Sequence, residues 1–584
     1  MPGANPDEES TGSTPENTMN SNKLRECFLV ALAFSLLLAV TRPVTLSDTP
    51  YYAFNIAEHL GKSPFGRGNT LWEFGHLLWR PLGWSLATLG GSAFSALTDW
   101  TPYMQASASL MLVSLLSSVV NVVVWYLMLT DWTTSRTAAL VTLAMACTHP
   151  VWLLSQTGTA YIPGLACLSL SLYFLRKNAS IKAAVFYALS ALVWFPYVLA
   201  GLGLAFVAAF PGDLRRNDRE TFSKPDFRQF IRFAVISATV LIGAYCLGGA
   251  ARHLKSAAEV KAWYDDSGHQ WAQSNRLLRA ATGVPRSFYF LGKEGILFKR
   301  FLRHDPYAPV TIPDLAPTGL KLAAFYVFVL CLLHELWRRS ATRWPLVALL
   351  AGLGPVLYFA IFMFEPGSPE RYLPALPFLV LSVGWMFRDF PANRRVAQMV
   401  AAGVLLSVAL NNGYAFIAPR VNAENAVMWR RVAGLRQRIG PSVVAFLVSN
   451  QDDLEAYAGR NVFEAINRPG PLKLYDIVEP GTLRMLQWRE EFAFMTLKTW
   501  EKGGEVWITK RVRSARPKPE WNWVEADHPY EIWADISKFV SSLPTDQEEG
   551  DEDGFARLVR NDATVGYLKT LSMAYKAPAV AKQE

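Results

Sequence analysis

Between Cys27 and Ala418 the chain is a succession of apolar runs separated by short loops rich in Lys and Arg. Several runs are long enough to cross the roughly 30 Å hydrocarbon core of a bilayer as a helix. The chain therefore reads as an α-helical polytopic membrane protein. A hydrophobic share of 51%, with 13% aromatic residues, exceeds the usual apolar content of a soluble protein. The formal net charge of +9 would suit a nucleic-acid binder. Its cations, however, sit mainly in the loops between apolar runs, where they set topology, so nucleic acid is not expected as a partner.

Met1–Asn22 is polar and acidic, too poor in apolar surface to repay ordering, and reads as a disordered cytoplasmic tail over residues 1–22. No cleavable signal peptide is evident there, and the first apolar run serves as a retained anchor. Lys23 and Arg25 precede the first span, Cys27–Val44, which places the N-terminus inside. Following the loop charges gives about eleven transmembrane helices over residues 23–420 and an external C-terminus. Two of these form a hairpin of short spans hinged at Trp194-Phe195-Pro196, because Lys182 before it and Arg215, Arg216, Arg219 and Lys224 after it are best left inside. The first external loop, 47–102, is amphipathic and predicts two interfacial helices, Tyr51–Leu60 and Leu71–Leu89. A second long external loop covers 248–318.

Beyond Arg420, Val443–Val448, Leu472–Val478 and Glu505–Val512 predict strands, with helices over Asp452–Gly459 and Thr482–Trp500. They imply a small extracytoplasmic α/β domain over 421–543. The remainder, 544–584, reads as an acidic, mobile tail with one short helix, Phe555–Lys569. All five cysteines fall within candidate spans, which supports neither a disulfide framework nor a zinc site.

Asp48, in Ser47-Asp48-Thr49-Pro50-Tyr51-Tyr52, stands at the outer membrane surface just past the first span. A carboxylate in a partly desolvated site is a candidate general base; equally, it is a candidate N-cap for the helix that follows. Glu73, His76 and Arg80 share one face of the second predicted helix. His76 and Arg80 could bind a phosphate with Glu73 supporting His76, or the three could simply be the wet side of an interfacial helix. Glu73 and His76 also have ligand spacing, but one pair does not make a metal site, and no metal is expected. Arg371 and Tyr372, with Glu370 supporting, open a late span at its outer end. Arg371 suits a lipid-linked phosphate, or is a snorkelling arginine paired with Glu365 or Glu370. Asn121, His149, Asn411 and Asn412 are intramembrane polar residues that interhelical hydrogen bonding explains as well as function does.

With these motifs quoted, the chain resembles the GT-C integral-membrane glycosyltransferases that use polyprenyl-phosphate sugars. These include protein mannosyltransferases and the bacterial lipid A aminoarabinose and lipopolysaccharide-core galacturonic acid transferases. The resemblance covers about Lys23 to Arg420. It rests on Asp48 after the first span, Gly75-His76-Leu77-Leu78-Trp79-Arg80-Pro81-Leu82, the short loop Thr157-Gly158-Thr159-Ala160-Tyr161, and Glu370-Arg371-Tyr372-Leu373-Pro374-Ala375-Leu376-Pro377. It implies a GT-C-like fold in a bacterial inner membrane and an inverting transfer from a polyprenyl-phosphate sugar donor to a cell-envelope acceptor. Asp48 is then the base and Arg371, Arg80, His76 and Tyr372 bind the donor phosphate. Many members carry a further acidic residue in the external loop after the third span; Gln156–Tyr161 has none, which counts against a divalent metal. No cofactor is implied, since the lipid-linked sugar is a substrate. A surface-polysaccharide polymerase or ligase, a transporter and a non-catalytic scaffold are the competing classes.

Overall fold

The computed structural model describes residues 21–41, 48–66, 69–97, 102–211, 224–267, 276–291, 297, 300–301, 304, 309–339, 343–390, 392, 395–418, 444–448, 474–476, 488–501, 503–513, 529–549 and 555–575. The expected N-terminal tail up to residue 20 and the expected helix Asp452–Gly459 lie outside these residues.

Among the described residues, the first part has sixteen α-helices: α1 (Ser21–Val40), α2 (Thr49–His59), α3 (Trp79–Leu97), α4 (Pro102–Leu129), α5 (Ser135–Ala146), α6 (His149–Ser155), α7 (Tyr161–Arg176), α8 (Ser180–Val193), α9 (Gly201–Ala209), α10 (Phe227–Ala251), α11 (Ala257–Asp266), α12 (Arg276–Arg286), α13 (Ala316–Arg339), α14 (Trp344–Tyr358), α15 (Leu376–Met386) and α16 (Val396–Asn412). Capping follows the sequence locally. The Thr134 hydroxyl accepts from Thr137 N–H ahead of α5, Asp226 accepts from Gln229 N–H ahead of α10, and Ser256 with Glu259 forms a capping box on α11.

Helix α4 is the hub, packed against α1, α2, α3, α5, α6, α7 and α15. Its seam with α7 is pinned by polar groups: Asn121 Nδ2 donates to Ile162 O, Ser169 Oγ to Asn121 Oδ1 and Trp125 Nε1 to Ser169 Oγ. Asn412 does the same elsewhere, donating to Phe288 O at 2.6 Å and Cys147 O at 2.9 Å. These asparagines satisfy buried backbone carbonyls rather than face a ligand.

Among the described residues five helical segments are long and apolar enough to cross a membrane: Gln105–Leu129, Phe227–Ala251, Pro313–Arg338, Trp344–Met363 and Val396–Ile417. A sixth is α5 with α6, bent by 73°. The bend falls at Pro150, which has no N–H to return to the preceding turn. About eleven were expected on apolar length. The difference comes from segments the chain breaks or charges: α7 has 16 residues, about 24 Å of helix, and α1 carries Lys23, Arg25 and Glu26 in its first turns. The expected hinge is where the structure breaks, α8 ending at Val193 and a 3-10 segment Phe195–Ala200 leading into α9. The second long loop holds α11 and α12.

The predicted helix Leu71–Leu89 is not formed as one element. Phe74–His76 is a 3-10 turn and α3 begins only at Trp79. Pro81 sits in the first turn of α3, the one part of a helix where its missing N–H and bulky ring are harmless, so a helix running through from residue 71 is disfavoured. Likewise the expected span opening at Tyr372 begins as a 3-10 segment, Pro369–Ala375, before α15.

The C-terminal residues form a mixed five-stranded sheet in the order β2-β1-β3-β5-β4, from β1 (Val444–Val448), β2 (Leu474–Asp476), β3 (Glu505–Thr509), β4 (Thr545–Glu549) and β5 (Phe555–Leu558). β1 runs parallel to β2 and β3; β5 is antiparallel to β3 and β4. Helices α17 (Trp488–Glu501), α18 (Pro529–Ser541) and α19 (Asp562–Ser572) supply Phe492, Trp500, Ile536, Phe539 and Leu568 to its core. This corrects the reading of 544–584 as a mobile tail and of residue 543 as a domain end. Thr545–Glu549 is an edge strand whose Asp546 is held by Arg557 through two N–H donors at 3.0 and 2.9 Å, with Arg557 also donating to Glu505 of β3 at 2.7 Å, and whose Glu548 pairs with Lys510 and Arg513. Charge on an edge strand blunts pairing with other chains, which is why the segment looks unstructured in composition.

Candidate active site

Asp48 occupies the N-cap position of α2, yet its side chain makes no cap hydrogen bond. The carboxylate instead accepts from Tyr161 Oη at 2.7 Å, and Tyr52 Oη lies 3.4 Å from it, at the limit of hydrogen-bond reach. Of the two roles open to Asp48 on sequence, the capping one is thus unused, and its second oxygen is bonded to nothing among the described residues. Burial, and then the Asp48 charge, pushes the Tyr52 phenol well above its ordinary value, so it stays a neutral donor.

The loop before α7 is sewn to the start of α2. Gly158 N–H donates to Thr49 Oγ1 at 3.0 Å, Trp79 Nε1 donates to Gly158 O, and a Cβ at Gly158 would stand 2.7 Å from Thr49 Cγ2 and 2.9 Å from Leu110 Cβ. Only glycine permits that approach. Gln156, where a carboxylate was sought, is buried and donates from Nε2 to Leu38 O and to the Thr41 side chain, tying this loop to the end of α1. Tyr161 is then fixed by Tyr197 Oη, which donates to its carbonyl at 2.6 Å, and by Trp194, whose ring meets its own edge-on at 4.7 Å.

Glu73, His76 and Arg80 do come together, around the 3-10 turn rather than along a helix face. His76 Nδ1 lies 3.1 Å and Arg80 Nη2 2.6 Å from Glu73 Oε2, and Arg80 Nη1 donates to Thr70 O at 2.5 Å. Arg80 is only 2% exposed, its guanidinium stacked under Tyr51 and Tyr52 at 4.6 and 5.4 Å. His76 Nε2 is 2.9 Å from Tyr52 Oη. Arg80 and His76, expected as phosphate ligands, are therefore engaged within the protein.

Arg371 is held differently. Its nearest carboxylates, Glu365 and Glu370, are each 3.9 Å away, beyond hydrogen-bond distance, and its buried Nε has no partner among the described residues. The guanidinium lies 4.1 Å from the Phe364 ring centroid and 5.8 Å from that of Trp194. Burial opposes its charge, but Tyr161, Glu370, Glu365 and Asp48 together outweigh this and raise its proton affinity, so Asp48 and Arg371 act on each other across the site. Burial pushes the Glu370 carboxyl up despite Arg371. Tyr372 turns away, its hydroxyl donating to Pro366 O at 2.6 Å. The site thus presents one acceptor-rich group and one under-bonded cation, joined by Tyr161 and Trp194. Tyr52, Tyr161 and Trp194 were not singled out on sequence. Among the described residues no three His, Cys, Asp or Glu side chains converge as metal ligands.

No protein-family model and no curated protein sequence matches the chain. Among solved structures, ArnT from Cupriavidus metallidurans in the apo state superposes with a TM-score of 0.50 at 12% identity, over 94% of this chain and 98% of that one. ArnT bound to undecaprenyl phosphate gives a TM-score of 0.44 at 14% identity, over 94% and 99%. The archaeal oligosaccharyltransferase AglB from Archaeoglobus fulgidus, in complex with an inhibitory peptide and a dolichol-phosphate, gives 0.44 at 13%, over 92% and 74%. At these identities the likeness to apo ArnT is one of fold, the GT-C architecture of multi-pass membrane proteins.

Proposed function

We propose that the protein is an inverting GT-C-type glycosyltransferase that moves a sugar from a polyprenyl-phosphate donor to a hydroxyl of a cell-envelope acceptor, on the extracytoplasmic face of a bacterial inner membrane. The observation that carries this reading is the Asp48 carboxylate: it stands at a cap position, is not used for capping, and accepts from Tyr161, whose ring meets Trp194, the ring that Arg371 also faces. The shared ArnT fold supports the class of reaction.

In this reading Asp48 removes the acceptor proton as the acceptor oxygen attacks the anomeric carbon from the side opposite the leaving phosphate, which inverts the configuration. Arg371 receives the charge growing on that phosphate; its N–H groups exchange 3.9 Å contacts with carboxylates for direct contacts with oxyanions. A phosphate leaves without protonation, so the step needs one base and one cation, and no metal. Nucleotide sugars are not expected outside the cytoplasm, which is why the donor is lipid-linked. The proposed orientation has the N-terminus cytoplasmic and the C-terminal α/β domain extracytoplasmic.

The test is an assay of purified protein in lipid, with and without a chelator, against a panel of labelled polyprenyl-phosphate sugars and envelope acceptors. Wild type is expected to transfer one of them, equally with the chelator, and Asp48→Asn to lose transfer. Undiminished transfer by Asp48→Asn sinks the mechanism. No transfer from any donor sinks the function.

A further inference from the structure

Asp48, Tyr52, His76 and Glu73 form one continuous file, with contacts of 3.4 Å from Asp48 Oδ2 to Tyr52 Oη, 2.9 Å from Tyr52 Oη to His76 Nε2 and 3.1 Å from His76 Nδ1 to Glu73 Oε2. The transfer step proposed above uses only the first of them. Packing accounts for a Glu–His pair on an interfacial turn. It does not account for a buried hydroxyl set between the imidazole and the carboxylate while His76 and Glu73, with side chains 15% and 17% exposed, reach the surface.

The hydrogen-bond roles along the file follow from the chemistry of its ends. An ionised Glu73 only accepts, so His76 donates from Nδ1; in neutral imidazole Nε2 is then an acceptor and takes the Tyr52 hydroxyl proton. When His76 is doubly protonated Nε2 donates to Tyr52 Oη, and the Tyr52 proton is left for Asp48. One proton on His76 thus decides which way the phenol points.

Resting on the reading of Asp48 as the base, we infer that Tyr52, His76 and Glu73 are the route by which the proton taken from the acceptor leaves the site. The step balances. Protonated Asp48 passes its proton to Tyr52 Oη as Tyr52 passes its own to His76 Nε2, leaving Asp48 ionised, Tyr52 unchanged and His76 cationic against Glu73. His76 then loses its Nδ1 proton to water past Glu73 and regains the starting tautomer by exchange with water, Nδ1 taking a proton as Nε2 gives one up, and Asp48 is ready for the next acceptor. Tyr52, His76 and Glu73 are positioning residues in this scheme, since none touches the reacting atoms.

Among the described residues, the other charged groups near His76 are these. Arg80, on the same loop, neutralises part of Glu73. Arg252, after α10, interacts electrostatically with Glu73, Arg80 and Asp266 of α11. On α11, Lys261 and Asp265 pair with each other and Glu259 caps its own helix. Helix α8 and the 195–200 segment meet the turn with Leu192 and Phe195.

Full-length protein in lipid nanodiscs, with 15N-labelled histidine, reads this without any ligand: at one fixed pH the ring-nitrogen shifts report what His76 Nε2 and Nδ1 bond to, assigned by the signal lost in His76→Gln. Asp48→Asn is expected to move the His76 Nε2 shift, because the carboxylate that competes with Nε2 for the Tyr52 proton is gone. In Tyr52→Phe, which removes one oxygen and keeps the ring, the same Asp48→Asn change is expected to shift it by less than about a third as much. Equal shifts in both backgrounds overturn the inference, since coupling then runs through space and not through the hydroxyl. A His76 Nε2 shift that ignores Asp48→Asn overturns it too. A wild type that transfers no sugar but shows the coupling sinks the glycosyltransferase reading and leaves the wired file standing.

Discussion

Arg80 and Arg371 are both buried arginines stacked on aromatic rings beside a glutamate, and they differ in what their nitrogens touch. Each Nη of Arg80 has an oxygen within 2.6 Å, from Glu73 and from Thr70. Arg371 has carboxylates on two sides and touches neither; the Nε of each arginine is buried without a partner among the described residues, so the difference lies in the Nη groups. The first region is closed on itself and holds Asp48, Tyr52 and His76 in register. The second leaves its Nη donors unused by any carboxylate within hydrogen-bond distance, free to meet an anion. Base-side chemistry needs fixed geometry before substrate arrives, whereas an anion site needs donors that are not already used.

The largest expected effect lies at the junction of the two regions. Asp48→Asn keeps the shape and removes the base, and kcat is expected to fall about 10²- to 10⁴-fold with the thermal unfolding midpoint nearly unchanged. A large fall in stability instead would return Asp48 to a structural role.

The two arginines should then separate by the kind of damage they suffer. Arg80→Met leaves Glu73 partly buried without its cation, and a loss of about 3 kcal/mol in stability is expected, measured by chemical or thermal unfolding in detergent. Arg371→Lys keeps a charge but loses the forked donors. It is expected to cost about 10- to 100-fold in kcat/KM for the lipid-linked donor with little change in unfolding. If both variants lose mainly stability, the regions are not different in the sense argued here.

That contrast was only half legible in the sequence. Asp48 stood out because a carboxylate after the first apolar run has few neighbours to explain it, and Arg371 because it opens a late apolar run. The residues that position Asp48 did not. Tyr52 and Tyr161 are ordinary interfacial aromatics until α7 is packed against α2 and α4 across Gly158, a contact over more than a hundred residues that no local periodicity encodes. The bonding of Arg80 was hidden because Leu71–Leu89 has helical spacing, although Pro81 in that stretch already argued for a later helix start. In the C-terminal sheet the apolar strands β1 and β3 were readable. β4 was not, since its edge position selects charge over hydrophobicity.

A smaller effect should follow from loosening Asp48 without removing it. Tyr161→Phe deletes the 2.7 Å hydrogen bond and leaves the ring against Trp194. One hydrogen bond to a charged group is worth about 1.5–3 kcal/mol in place. Part of that is regained, because a carboxylate with fewer donors is a stronger base. The net expectation is a fall of roughly tenfold or less in kcat, with the donor KM unchanged. A change confined to KM would move Tyr161 from the base side of the site to the phosphate side.

The smallest effect tests whether the Arg371 region is really under-bonded. Burial raises the Glu370 carboxyl above its ordinary range in the folded protein, more than Arg371 lowers it. The folded state then holds more protons than the unfolded one as pH climbs from the ordinary glutamate range, about 4.3, to the raised value. Stability contributed by this group is complete below that window and is lost as pH rises through it. Glu370→Gln has no such slope, so its melting temperature relative to wild type should rise from about pH 4 to pH 7, by no more than a few degrees. The opposite slope, with Gln losing ground as pH rises, would mean that Arg371 holds Glu370 ionised in a tight pair. Arg371 would then be bonded as Arg80 is, and would have no donors to offer a phosphate.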